Sequence, residues 1–190
     1  GKIHYQSFER GVPLHPVKQE GDTEQTGTTI RFWPDEQIFE SIEFDTQTLA
    51  TRMKELAYLN KGLEIVLKDE RKDEVFDYMF EGGLKSFVEE INKAKTKLHD
   101  PIYLTDEKEE VEMEVAMQYT DNFNEMTFTF VNNINTHEGG THLSGFKSAL
   151  TRTINNYNEK NNVSDVKFSS NDVREGLSAI ISVKVPEPQF

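Results

Sequence analysis

A stretch without acidic residues is the first chemical feature of this chain. Between Gly139 and Asn158 the sequence has two basic residues, Lys147 and Arg152, and no Asp or Glu. The whole chain has 34 acidic and 21 basic residues, for a formal net charge of −13. A segment free of carboxylates in so acidic a chain indicates a negatively charged partner. A helix of this size can also lack acids by chance, and both bases would then be ordinary solvated residues.

The same stretch has the spacing of an amphipathic helix. Each residue turns the helix by about 100°, and the apolar residues that fall on one arc are Leu143, Phe146, Leu150, Ile154 and Tyr157. Lys147 and Arg152 lie at the two edges of the opposite, polar arc, which contains Ser148, Thr151 and Asn155. Thr141 is expected to cap the helix.

A glycine pair, Gly139–Gly140, precedes this helix. Glycines suit a sharp turn from strand to helix, and a glycine-rich turn before a helix can also bind phosphate. A Lys-Ser/Thr pair does not follow, so a structural turn is favoured. His137 and His142 flank the pair without a carboxylate at ligand spacing, so we predict no metal site.

Composition limits the possible functions. The acidic balance argues against free nucleic-acid binding through a basic face, so any DNA contact must be local, weak or made within a larger assembly. The absence of cysteine excludes disulfides and thiolate metal sites. No arrangement of a nucleophile and a base is readable, so we assign no catalytic residue. The sequence has no signal peptide or long apolar run, which predicts a soluble, cytoplasmic protein without membrane contact.

The first half predicts strands, a helix and a hairpin. Strands at 2–8 and 28–33 are expected to pair across a loop that includes 18–25. Asp45 should cap a helix that ends near Asn60, and a hairpin of two strands should follow at 63–68 and 74–80. Glu81–Gly82–Gly83 marks the predicted domain boundary.

The second half predicts the order β-β-β-α-β, with helices covering one sheet. The predicted elements are a helix at 84–93, strands at 102–104, 111–119 and 126–131, the helix described above, a polar loop at 158–162, a possible edge strand at 163–168 and a strand at 178–185. Strict alternation at 111–119 predicts a half-buried strand with an acidic outer face, and 126–131 should pair back on it as a hairpin. General rules favour a right-handed crossover into the last strand.

Five runs of sequence carry a resemblance to a known family. They are NNINTHEGGTHLSGFKSALTRTINNY, DVREGLSAIISVKVPEPQF, TGTTIRFWPD, RMKELAYLNKGLEI and FEGGLKSFVEEIN. They resemble segments of the ATPase-side subunit of bacterial type IIA DNA topoisomerases, and they occur along this chain in the same order as in that family. Gyrase B is the nearer type, and the corresponding subunit of topoisomerase IV is the alternative.

The resemblance implies an α+β (or α/β) fold with two domains. Residues 1–83 would be the C-terminal part of a GHKL ATPase sandwich. Residues 84–190 would be most of a transducer domain with the fold of the second domain of ribosomal protein S5. In that fold the β-α-β crossover is left-handed, so the resemblance overrides the general rule.

The implied activity is ATP-dependent passage of one DNA duplex through another, which supercoils or relaxes DNA. The chain looks like an excised fragment, because its first residue is Gly and not Met and lies within a predicted strand. In the family, the glutamate base, the metal-binding asparagine and the lid precede the position of Gly1, and the Gln-Thr-Lys motif follows the PEPQF run. We therefore expect ATP and Mg²⁺ to bind in the full-length subunit and not in this fragment alone. The implied partners are DNA, gyrase A in a heterotetramer of two gyrase A and two gyrase B chains, and a second gyrase B chain that associates on ATP binding.

The resemblance also assigns roles to individual residues. Thr28 matches a threonine near the adenine, although by itself it is a residue of high strand propensity. Lys147 matches a position that is usually Arg and lines the cavity for the transported duplex; Lys keeps the charge but loses the bidentate fork. Arg152 also matches a family Arg. Gly82 and Gly83 are candidate hinge residues.

Two readings from other classes stay open at this point. A non-catalytic scaffold or partner-binding module can share the same fold. Another GHKL ATPase, of the mismatch-repair or chaperone type, shares the architecture but not the FEGGLKSFVEEIN and NNINTHEGGTH runs.

Overall fold

The first 45 residues form a small unit of short antiparallel strands. The computed structural model describes residues 1–189, and here it shows β1 (Lys2–Tyr5) paired with β4 (Lys18–Asp22), and β2 (Phe8–Glu9) paired with β3 (Val12–Pro13). The predicted pairing of the first strand with residues 28–33 is therefore wrong. Its partner lies in the segment that was predicted to be a loop, which is nearer in sequence and therefore slightly less costly in entropy to close.

Residues 28–33 form no strand, although their composition favours one. A strand needs a neighbour for its backbone N–H and C=O groups as well as suitable side chains. None of the strands within residues 1–189 pairs with this run. Its large side chains are exposed: Ile30 by 81%, Phe32 by 65% and Trp33 by 75%.

The second unit starts at Thr46 with a helix, a hairpin and another helix, which confirms the predicted elements. They are α1 (Thr46–Leu59), β5 (Ile65–Asp69), β6 (Glu74–Tyr78) and α2 (Leu84–Ile91). Buried Asp69 links the hairpin to the start of α1, since it accepts hydrogen bonds from Arg71 (Nη2 to Oδ2, 2.7 Å) and from the Thr46 hydroxyl. These bonds hold the pKa of the Asp69 carboxyl well below its usual value.

A five-stranded sheet follows, built around the last of its strands in sequence. Its elements are β7 (Ile102–Lys108), β8 (Val111–Tyr119), β9 (Met126–Val131), β10 (Ile134–Asn135) and β11 (Leu177–Lys184), with α3 (Thr141–Asn161) and a 3₁₀ turn (Asp172–Arg174) before β11. The strand order is β10-β9-β11-β8-β7. β11 runs parallel to β9 and antiparallel to β8, so the sheet is mixed and the predicted fold class is confirmed.

The predicted hairpin between β8 and β9 is wrong, because β11 lies between them. Residues 177–183 of β11 are all buried, and a strand that is buried on both faces belongs at the centre of a sheet. The parallel pair β9 and β11 is joined by α3 in a β-α-β crossover. Its left hand stays a prediction from the family resemblance.

Each face of this sheet has its own core. On one face α1 and α2 pack on a cluster that includes Tyr58, Phe87 and Phe130. On the other, α3 packs on a cluster that includes Val115, Ile181 and Val183. Both faces of β8 are buried at residues 115–118, so its predicted acidic outer face holds only towards its start. Gln118 is accommodated there by bonds to Asn92 (3.0 Å) and to the carbonyl of His99 (2.8 Å).

α3 is longer than predicted and ends at Asn161, so the predicted loop at 158–162 is mostly helix. The predicted edge strand at 163–168 is absent from the described structure. The side chains of Asn155 and Asn158 bond the backbone of this segment at Phe168, Val166 and Ser164, and those groups are not available to a strand ladder. Among residues 1–189, no helix has the length and apolar composition needed to cross a lipid bilayer.

Candidate nucleic-acid interface on α3

α3 is held on the sheet by the start of its apolar stripe. Leu143, Phe146 and Leu150 pack against the core of that face, whereas Tyr157 is 65% exposed. The helix begins at Thr141, with Gly140 in the cap position and no side-chain cap bond, so the predicted cap is wrong by one residue. A Cβ atom at position 140 would lie 2.8 Å from Cε1 of His142, so the imidazole would have to move, and the φ of +154° also favours glycine.

Lys147 does not extend freely into solvent. Its side chain is 31% exposed, and Nζ lies 3.2 Å from Oε1 of Glu125, the residue just before β9. The same carboxylate accepts a bond from Thr127 Oγ1 to Oε1 (2.9 Å) and one from Arg174 Nε to Oε2 (2.8 Å). We call these four residues the Glu125 cluster: Glu125, Thr127, Lys147 and Arg174.

Glu125 is ionised at neutral pH. Burial alone would raise its pKa, but the hydrogen bonds from Arg174, Thr127 and Lys147 outweigh burial, and the pKa is lowered overall. The two cations and the single carboxylate leave a net charge of +1. The cluster is therefore weakly attractive to an anion, much less so than two unpaired bases would be.

Arg174 is fixed more firmly than Lys147. Its side chain is 11% exposed, and its guanidinium also donates to the carbonyl of Ser170 (2.7 Å), to the Ser170 hydroxyl and to Oδ1 of Asn171 (2.9 Å). Sequence reasoning missed both Glu125 and Arg174. Both residues precede parallel neighbouring strands, so a correct strand order would have placed them at the same edge of the sheet.

A depression of about 290 Å³ adjoins the cluster. Its lining residues are Phe123, Glu125, Asn171, Asp172, Arg174 and Glu175. Three of these carry carboxylates, and hydrogen bonds from Ser169 lower the pKa of Asp172. This side of α3 is therefore unfavourable for a polyanion.

Arg152 lies elsewhere on the helix. It is exposed, five residues beyond Lys147 and about 140° further round the axis. Within residues 1–189, no carboxylate forms an ion pair with it. The polar arc between the two bases is partly covered, since Thr151 bonds Ser170 (3.2 Å) and Asn155 bonds the carbonyl of Phe168 (2.9 Å). The structure thus leaves Arg152 accessible and Lys147 shared with a carboxylate.

Thr28 lies in the first unit, in an exposed and irregular segment. Among the described residues, its hydroxyl makes no hydrogen bond, and no helix or strand positions it. The role of Thr28 as a nucleotide contact stays a prediction.

Gly82 and Gly83 lie at a tight turn before α2. Gly83 has a left-handed φ of +54° and donates its N–H to the carbonyl of Phe80 (3.2 Å). A Cβ atom at Gly82 would overlap Oγ of Ser86, and one at Gly83 would lie 3.4 Å from Cβ of Lys61. Close packing against Ser86 accounts for Gly82, and the left-handed φ accounts for Gly83. The hinge and the domain boundary at residue 83 stay predictions.

Comparison with known proteins gives a consistent result. The family model described as DNA gyrase B matches residues 83–190. The DNA gyrase B protein of Halalkalibacterium halodurans is 53% identical over 196 residues, which cover 100% of this chain and 31% of that protein. The curated relative is thus about three times as long as this chain.

Solved structures agree with the sequence match. The crystal structure of the 43K ATPase domain of Thermus thermophilus gyrase B, in complex with an aminocoumarin, has a TM-score of 0.83 at 34% identity, covering 100% of this chain and 54% of that one. The topoisomerase IV ATP-binding domain of Francisella tularensis, with a small-molecule inhibitor, has a TM-score of 0.83 at 29% identity, covering 100% and 53%.

Proposed function

This chain belongs to the DNA gyrase B family, and we propose that it is the part of a type II DNA topoisomerase subunit that couples ATP binding to DNA movement. The whole subunit would pass one DNA duplex through another, together with gyrase A in a heterotetramer of two gyrase A and two gyrase B chains. ATP, with Mg²⁺, would bind in the full-length subunit and bring two gyrase B chains together. Residues 1–83 would complete the ATPase domain, and the remaining residues would form most of the transducer.

The single observation that carries this proposal is the family match across α2, the five-stranded sheet and α3. The charges of α3 are consistent with it. From Gly139 to Asn158 this helix and its turn carry two bases and no acid, in a chain with a net charge of −13. Such a surface can touch phosphates locally while the rest of the protein repels them.

Lys147 and Arg152 are the proposed contacts to the transported duplex. A lysine binds phosphate as a point charge without a fixed geometry, so contact through Lys147 would not depend on DNA sequence. Weak contact suits a cavity through which the duplex must move, because tight binding would hold the duplex in place.

Thr28 is the proposed nucleotide contact from this chain. Its hydroxyl would hydrogen-bond with the water and the carboxylate that recognise the adenine. Gly82 and Gly83 are the proposed flexing point of a two-state element that ligand contacts bias. Hydrogen exchange in the full-length subunit, with and without a nonhydrolysable ATP analogue, tests this proposal. Unchanged exchange at residues 81–84 would count against the hinge.

Charge reversal at Lys147 tests the proposed function. We expect Lys147→Glu to reduce strand passage by the assembled enzyme at least tenfold, because it places a second carboxylate where a phosphate must approach. ATP turnover without DNA should be unchanged. Supercoiling and decatenation assays are the measurement, and together they also distinguish gyrase from topoisomerase IV activity.

Lys160→Glu is the matched control, since Lys160 is an exposed base in the last turn of the same helix. It should leave strand passage within about twofold of the unmodified enzyme, as expected for an exposed charge. In Lys147→Glu the new carboxylate would also lie next to Glu125 and repel it. Lys147→Gln avoids this repulsion, and we expect it to reduce strand passage by a smaller factor. Strand passage that is indifferent to both Lys147 variants would favour a scaffold role.

A further inference from the structure

We propose that Glu125 is a built-in competitor for the DNA phosphate at Lys147, and that it sets how weakly α3 holds the duplex. This inference rests on the proposed DNA contact. It adds a residue to that site that is not basic and that lowers, rather than raises, the affinity for DNA.

The first support is that the carboxylate is held in place without Lys147. Thr127 bonds Oε1 (2.9 Å) and Arg174 bonds Oε2 (2.8 Å). Thr127 belongs to β9, and Arg174 is itself anchored on the carbonyl of Ser170 (2.7 Å). Glu125 therefore keeps its position when Lys147 leaves.

The second support is the difference between its two cations. The Lys147 side chain is 31% exposed and the Arg174 side chain 11%. Lysine also carries its charge on a flexible four-carbon chain, so Nζ can swing to a neighbouring acceptor. A phosphate that approaches α3 can thus form an ion pair with Lys147, but it cannot readily form one with Arg174.

The third support is that this exchange leaves no unpaired charge. When Lys147 turns to a phosphate oxygen, Glu125 still has Arg174 and Thr127 as partners. Breaking a buried pair is costly mainly because it strands the remaining ion. Here that cost is avoided, so the exchange of a carboxylate for a phosphate is nearly balanced and the DNA contact stays weak.

The neighbouring carboxylates restrict the contact to one side. Asp172 and Glu175 line the depression next to Glu125. A duplex that moved towards them would bring its phosphates close to three negative side chains. A duplex is therefore expected to approach Lys147 from its exposed side, over α3, and not from the side of the 3₁₀ turn.

A double-mutant cycle in the assembled enzyme tests the proposal. The measurement is the concentration of linear duplex DNA that gives half-maximal stimulation of ATP turnover. Glu125→Gln should lower this concentration about two- to fivefold, the range expected for releasing a partly exposed ion pair. Lys147→Gln should raise it and should reduce the slope of log affinity against log salt by about 0.9. In the double variant, Glu125→Gln should have no further effect.

The outcomes separate the two proposals. If Lys147→Gln leaves the half-maximal concentration unchanged, the proposed DNA contact through Lys147 is wrong. If Lys147→Gln raises it but Glu125→Gln does not lower it, only the competitor role fails. The competitor role also fails if Glu125→Gln still lowers the concentration in the double variant, because that would be an effect of net charge alone.

Two further variants control for charge and folding. Glu112→Gln removes one carboxylate from the exposed Lys184–Glu112 pair (3.0 Å) on the strands β8 and β11, and should change nothing. Should thermal melting show that Glu125→Gln does not fold, Glu125→Asp replaces it. The shorter side chain keeps a negative charge near Arg174 and should weaken the contact to Lys147, so a smaller shift in the same direction is expected.

Discussion

The two faces of the five-stranded sheet are built differently. On the α2 face, aromatic rings stack closely: the Tyr58 and Phe87 centroids are 4.8 Å apart, and those of Tyr58 and Phe80 are 3.6 Å apart. Short α2 buries three apolar residues there: Leu84, Phe87 and Val88. On the other face, α3 is a 21-residue helix whose buried residue is polar, Asn158, and whose apolar stripe is only partly covered.

This difference indicates a division of labour. A densely packed aromatic face fixes α1 and α2 to the sheet, since close-packed interiors resist deformation. The α3 face uses fewer apolar contacts and more side-chain hydrogen bonds, and it leaves charged groups within reach of solvent. We therefore expect stability to depend mainly on the first face and ligand contact on the second.

The strongest test of this division is Phe87→Ala on the α2 face. Phe87 is 8% exposed and lies against Tyr58, Phe128 and Phe130. Removing its ring should lower the free energy of unfolding by about 3–5 kcal/mol, the usual cost of a large cavity in an aromatic core. Denaturant unfolding measures it. A loss below about 1 kcal/mol would mean that this face is not the main source of stability.

Asn158→Ala should have an intermediate effect on the α3 face. Its amide bonds the carbonyl of Val166 (2.9 Å), and its carbonyl accepts the N–H of Ser164 (2.8 Å). Both backbone groups would lose their partner, at a cost of about 1–3 kcal/mol. Hydrogen exchange should accelerate at residues 163–168 before it does so in β11. Asn156→Ala, at an exposed position of the same helix, is the control and should cost less than about 0.5 kcal/mol.

The smallest effect is expected for Glu90→Gln, and it should depend on pH. Hydrogen bonds from Lys54 (2.8 Å) and Lys93 (2.9 Å) lower the pKa of Glu90 to about 2. A carboxyl whose pKa is lower in the folded state stabilises the fold above its unfolded pKa, near 4.3, and loses that contribution as the pH falls towards 2.

Because Glu90 is about one-third exposed, we expect the Glu90→Gln change to cost about 1 kcal/mol at neutral pH and almost nothing at pH 2. Unfolding curves at several pH values measure it. Exposed Glu89→Gln is the control and should be neutral throughout. A loss that persists unchanged at pH 2 would contradict the assignment.

Local patterns predicted most of the elements but not their neighbours. The spacing of apolar residues located α1, α2 and α3, and the alternation at 111–119 located β8. It could not show that β11 would separate β8 from β9, because that arrangement depends on a pairing across more than 50 residues. Nor could alternation show that Gln118 would be buried, since its burial depends on Asn92 and the carbonyl of His99.

The candidate site was predicted only in part for the same reason. Lys147 and Arg152 are visible in the sequence because one segment lacks acids. The carboxylate that modifies Lys147 lies 22 residues earlier, at the start of another element, and no local pattern links the two. The sequence was sufficient to identify Lys147 and Arg152, whereas Glu125, which pairs with Lys147, is identified only by the fold.

The central place of β11 has a consequence for how the protein is made. The ribosome synthesises β11 after every other strand of its sheet. Until then, β8 and β9 lack the strand that pairs with both of them. Until residue 177 emerges, Val115, Met117 and Phe130 have no completed core to enter, and such unpaired edges favour aggregation. We infer that the nascent chain is most prone to aggregation just before β11 emerges from the ribosome.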